Sequence, residues 1–170
     1  MIKVFLNDDL LAKHLALQIL KQLKIKKKLV LGCPGGRSLK KTYFYIGRLS
    51  TKLNISLNNL TIVMMDEYVE KKRGKYSLVN PKSHYSCVRF SQQVIKRLFN
   101  YKKNKKNELK KENILFPPID FPNTYDKKIN TIGGIDVFLL ASGASDGHVA
   151  FNNIYSKLNQ GTHIAKLSKK

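Results

Sequence analysis

Residues 29–38 read LVLGCPGGRS, an apolar run that breaks into glycine, proline, a cation and a hydroxyl. Leu29-Val30-Leu31 is apolar at successive positions, so both faces of the chain seek burial, as in the interior of a parallel sheet. Cys33-Pro34-Gly35-Gly36-Arg37-Ser38 then forms a tight loop, and Leu39 to Leu49 reads as a helix. Strand, short loop and helix in that order form the repeating unit of an α/β sheet.

The unit recurs on either side. Ile2–Leu6 is β-prone and ends at Asn7, which can cap a helix carrying Asp8 and Asp9 in its first turn. Leu11, Leu15 and Ile19, flanked by Ala12, Ala16 and Leu20, continue that helix to about Leu23. Leu60 to Met65 is a further buried strand that delivers Asp66-Glu67-Tyr68 at its carboxyl end. Ser83 to Leu98 reads as a helix and Ile135 to Leu140 as a late strand. The lysine-rich stretch 101–113 and the prolines from Phe116 to Pro122 read as a surface connector. The pattern predicts a Rossmann-like three-layer α/β fold with a mostly parallel sheet, in one domain over residues 1–170.

Composition bounds the function. A chain of 170 residues with 42% hydrophobic content suits one core. The start, MIKVFLNDDLL, lacks a basic segment followed by a long apolar one, and no window reaches bilayer length, so a cytoplasmic protein without a membrane partner is expected. Cys33 and Cys87 lack Cys-x-x-Cys spacing, which fits reduced thiols and predicts neither a disulfide nor a structural zinc. A net charge of +21 invites a nucleic-acid reading. The lysines crowd into Lys24–Lys28, Lys102–Lys111 and Lys166–Lys170, without a nucleic-acid-binding signature, so a solvated surface is the expectation.

Three clusters sit at strand carboxyl ends, where ligands bind in open α/β sheets. Gly35, Gly36, Arg37 and Ser38 have the parts of an anion cradle at a helix start, although a plain strand-to-helix turn would look the same. Asp66 leaves a buried strand, and partial desolvation there suits a proton carrier; a cap or an ion pair is the alternative. Asp146 and His148 lie in SGASDGHVAFNN, residues 142–153, where a carboxylate can fix an imidazole's tautomer. One Asp-x-His is thin for a metal, and none is expected. His14 and His84 read as structural.

These segments, with Met65-Asp66-Glu67-Tyr68-Val69, Gly133-Gly134-Ile135-Asp136 and Asp146-Gly147-His148-Val149-Ala150-Phe151-Asn152, resemble the glucosamine-6-phosphate deaminases, in the wider group that includes the 6-phosphogluconolactonases. The resemblance implies a sugar-phosphate substrate held by the Gly35–Ser38 loop, and ring opening by His148 oriented by Asp146. It also implies proton transfer from C2 toward C1 by Asp66, without a cofactor. Homo-oligomers occur among the relatives, so self-association is open here.

Two alternatives accompany the resemblance: lactone hydrolysis with His148 as the base, and a non-catalytic binder of a sugar phosphate or polyanion. Asn153 stands where the deaminase motif carries a glutamate, and Gly35-Gly36-Arg37-Ser38-Leu39 is closer to the lactonase style. Family members continue through further strands and a phosphate-binding lysine. A chain ending at Lys170 is therefore read as lacking the C-terminal third, either because the sequence is partial or because it is a shortened relative. His163 and Ala165 replace an arginine and a lysine of the family's allosteric region, so allostery is not carried over.

Overall fold

In a computed structural model, residues 2–141, 148–152, 156–157 and 159–167 are described. Helix α1 spans Asp8–Lys26. The Leu10 N–H donates to Asn7 Oδ1 at 2.9 Å, and Asp8 and Asp9 lie in the first turn, where the unpaired amides favour negative charge. Its buried residues Ala16, Ile19, Leu20 and Leu23 share one core with the first strand, β1, Leu29–Cys33. Next come α2 (Lys40–Lys52), β2 (Leu60–Met64), an antiparallel hairpin of β3 (Val69–Lys72) with β4 (Lys75–Leu78), and α3 (Cys87–Phe90). The chain passes through a π-helical segment, Ser91–Lys96, into α4 (Arg97–Phe99). It then forms β5 (Ile114–Leu115), α5 (Thr124–Thr131) and β6 (Val137–Phe138).

Four strands form a parallel sheet in the order β5-β2-β1-β6. Side chains alternate across it. Leu29, Leu31 and Cys33 of β1, with Leu60, Ile62 and Met64 of β2, face α1, α2 and Phe99 in the larger core. Val30 and Val63 point to the other face, where Tyr125 and Ile129 of α5 cover them. Helices on both faces make the expected three-layer α/β arrangement. Each fully buried Leu or Ile contributes roughly 1.5–3 kcal/mol.

Two hydrogen-bond devices lock the sheet. The Tyr125 hydroxyl lies 2.9 Å from the carbonyls of both Met64 and Leu115, tying α5 to the carboxyl ends of β2 and β5. Asp136 accepts from the Val30 N–H at 2.8 Å and pairs with Lys26, and both contacts hold its carboxyl below the usual range. Its own N–H donates to the Val30 carbonyl at 2.9 Å.

Four expectations are corrected. Ile2–Leu6 joins no sheet among the described residues, and Ile2, Val4 and Leu6 are more than 90% exposed at 93%, 91% and 95%. Local β-propensity without a partner strand leaves the backbone groups to water. The helix expected from Ser83 begins four residues later, because Ser86 accepts from the Arg89 N–H at 3.1 Å and so sets the cap. The connector read between residues 101 and 122 contains β5, with Leu109 fully buried beside it. The late strand is two residues long rather than six.

Candidate active site

The parallel register brings Cys33, Met64, Leu115 and Phe138 to one rim of the sheet, where the loops of interest begin. Beyond β2 the Met65 N–H donates to the Cys33 carbonyl at 3.3 Å, the last rung before the chain turns away. Asp66 and Glu67 follow, and their side chains take different roles.

Glu67 is buried at 9% exposure, and its carboxylate is fully engaged. It accepts from the N–H groups of Tyr68 (2.7 Å), Cys87 (2.9 Å) and Val88 (2.6 Å), and from the Ser86 hydroxyl (3.0 Å). The orphan amides at the start of α3 are thereby satisfied by a carboxylate from the β2 exit. This fixes where α3 begins relative to Asp66.

The Cys87 thiol consequently reaches Asp66, donating from Sγ to Oδ1 at 3.4 Å. The same sulfur fills the space beside Gly35, where a Cβ would stand 2.9 Å from it. Gly35, Cys87 and Asp66 form a contiguous group. Burial holds the Asp66 carboxyl above its ordinary range, and Glu67 adds to this, while the Cys87 hydrogen bond and the charge of His148 pull against it. His148 is therefore near enough to act electrostatically on Asp66, although 82 positions separate them in sequence.

The Gly35–Ser38 turn is anchored from below. Tyr43 of α2 is fully buried and its hydroxyl donates to the Pro34 carbonyl at 2.8 Å. Burial raises that hydroxyl's pKa further, so it stays a donor. Gly36 has φ +85°, a conformation that suits glycine, and Gly36, Arg37 and Ser38 are exposed just before α2. On the opposite side the Tyr68 ring packs on Phe151 (centroids 4.6 Å) and on Tyr85 (5.3 Å), joining the Asp66 segment to the late loop.

A cavity of about 280 Å³ opens along this rim, lined by Asp66 and Tyr68, by Pro117 and Pro118 beyond β5, and by Phe151 and Ile164. Its C-terminal wall is fastened by Asp126, which accepts from the Thr162 N–H (2.8 Å) and hydroxyl (2.9 Å). The Gly35–Ser38 turn and His148 do not line it. The cavity meets Asp66 from the side of β5.

The structure thus brings together Gly35, Asp66 and His148, and leaves Arg37 and Ser38 on the exposed surface of the turn. Asp146 and Asn153 lie outside the described residues. Among the described residues, no three His, Cys, Asp or Glu side chains are grouped so as to hold a metal ion.

No family model matches the chain. Individual proteins do. The glucosamine-6-phosphate deaminase of Alkaliphilus metalliredigens is 29% identical over 174 residues, covering 98% of this chain and 65% of that protein. The enzyme of the same name from Borreliella afzelii is 32% identical over 165 residues, covering 93% and 55%. The chain belongs to the glucosamine-6-phosphate deaminase family. It spans half to two thirds of those deaminases' length.

A solved monomeric glucosamine-6-phosphate deaminase shares the fold with a TM-score of 0.75 at 22% identity, over 95% of this chain and 62% of that one. A 6-phosphogluconolactonase from Thermotoga maritima gives 0.60 at 21%, over 85% and 60%. Within this deaminase-family frame, sequence reasoning missed Cys87 and the capping role of Glu67. Placing Ser86, rather than Ser83, at the helix start would have exposed both, because it sets Cys87 in the first turn.

Proposed function

We propose that the chain carries the proton-transfer half of a glucosamine-6-phosphate deaminase site. The observation that supports it is the partly desolvated Asp66 carboxyl, within the field of His148 and one sulfur away from Gly35.

In this reading the substrate phosphate rests on the exposed Gly36–Ser38 backbone at the start of α2, where a helix N-terminus and Arg37 favour an anion. His148, oriented by Asp146, accepts the O1 proton and a proton is returned to the ring oxygen as the C1–O5 bond breaks. Asp66 then removes the C2 proton while the C1 carbonyl oxygen gains one, which gives an enolamine across C1 and C2. Delivery of the Asp66 proton to C1 leaves an imine at C2. Water adds to that imine, and fructose 6-phosphate and ammonia separate. A carboxyl held above its ordinary range binds the abstracted proton more readily than an exposed one would.

The test is ammonia release from glucosamine 6-phosphate by the purified chain. Asp66→Asn is expected to lower turnover by about 10²–10⁴-fold, the usual worth of a positioned proton carrier. His148→Ala should also lose turnover. Wild-type rates in both variants would refute the reading. Hydrolysis of 6-phosphogluconolactone that survives Asp66→Asn would put lactone chemistry in its place.

A further inference from the structure

A buried cysteine usually serves as a small apolar filler. Cys87 differs in what its thiol meets: a carboxylate oxygen of Asp66 on one side and the backbone of the glycine turn on the other. Its location is imposed by the four donors that Glu67 gathers, two of them the N–H groups of Cys87 and Val88. A contact fixed by neighbours in this way orients its acceptor.

We propose that Cys87 is a positioning residue for Asp66: its thiol directs Oδ1, and its sulfur holds the carboxylate and the Gly35 turn in one register. The inference rests on the proposed role of Asp66 as the proton carrier. It assigns Cys87 no covalent step. Burial raises the thiol's pKa well beyond the range of a reactive cysteine, with the Asp66 and Glu67 carboxylates adding to this, so the sulfur keeps the proton it donates.

The electrostatic consequence has a definite sign. A hydrogen bond donated to the charged form of a carboxyl lowers its pKa, so removing the thiol raises that of Asp66. Among the described residues, the other groups acting on Asp66 are Glu67 beside it and His148 from the late loop. The hydroxyls of Tyr68 and of Tyr43 from α2 feel its charge in return. Substitution at Cys87 leaves all of these in place. The acid limb of the kcat/KM profile should therefore move to higher pH.

Two variants of similar size separate donation from packing. Cys87→Val fills the space without a donor and should lower kcat roughly 3–10-fold, with the acid limb moved up by about half a pH unit. KM for glucosamine 6-phosphate should stay within about twofold, since a lost orienting contact acts mainly in the transition state. Cys87→Ser keeps a donor and should restore both kcat and the acid limb. An unmoved acid limb with unchanged kcat in Cys87→Val would overturn the proposal, as would a serine variant as impaired as the valine one. Asp66→Asn is measured alongside: if it retains turnover, the reading of the site fails with the proposal. If it is inactive while Cys87→Val is normal, only the assignment of Cys87 fails.

Discussion

Asp66 is costly to the folded chain, and this can be measured apart from catalysis. Its carboxyl is raised above its ordinary 3.8, mainly by burial, so the folded state holds the proton more tightly than the unfolded chain does. For such a group stability falls as pH rises above 3.8, because ionisation is easier in the unfolded state. Asp66→Asn removes the buried charge and still accepts the Cys87 hydrogen bond. The variant should melt at a higher temperature than the wild type at pH 7, with the gain shrinking toward pH 4. A lower melting temperature at both pH values would contradict this.

Tyr125→Phe should act in the opposite direction. It removes the hydroxyl shared by the Met64 and Leu115 carbonyls and should cost about 1–2 kcal/mol in urea unfolding. Asp66 was legible in the sequence because an apolar run ends immediately before it. Tyr125 was not, because it lies just past the connector that ends at Pro122, in a short polar segment to which the sequence pattern assigned no element.

At the scale of elements, the tightest surroundings of any described glycine are those of Gly47, where α2 meets α4. A Cβ at Gly47 would stand 1.8 Å from the Leu98 carbonyl oxygen, so the two backbones pack with no side chain between them. Gly47→Ala must push α4 outward and with it Phe99, which is fully buried against Tyr43 (centroids 5.9 Å). The expected loss is about 3 kcal/mol by thermal or urea unfolding, at the upper end for an overpacked core. A change under about 0.5 kcal/mol would show that the helices separate without cost.

Long periodic elements were the legible ones: α1, β1, α2 and β2 form where hydrophobic spacing requires them. The β3–β4 hairpin and β5 were not. The hairpin strands are mostly polar and β5 is only two residues long, so all three form through tertiary pairing rather than local pattern. The helix start was misread by the same kind of cause. Ser83 and Ser86 are equally good caps in isolation, and the choice is made by a carboxylate 19 positions upstream.

For the whole molecule, the sheet order β5-β2-β1-β6 makes the rim what the sequence implied, a meeting place of loops from separate strands. What the sequence could not supply was their spacing. The contact of Cys87 with Asp66 depends on where α3 begins, and the field of His148 accompanies the packing of nearby Phe151 on Tyr68. The net charge of +21 comes from lysines and arginines spread along the chain, and most of the described lysines are exposed. Any binding of duplex DNA, followed by fluorescence anisotropy, should vanish by about 0.2 M salt. Tight binding above that would contradict a merely solvated surface. Among the described residues no helix is long and apolar enough to cross a membrane.

The most direct measurement follows the C2 hydrogen of glucosamine 6-phosphate by proton NMR in deuterated water. With the wild-type chain that signal should disappear in step with the appearance of fructose 6-phosphate, and with Asp66→Asn it should persist at least a hundredfold longer. Loss of the C2 hydrogen at the same rate in both proteins would contradict the account.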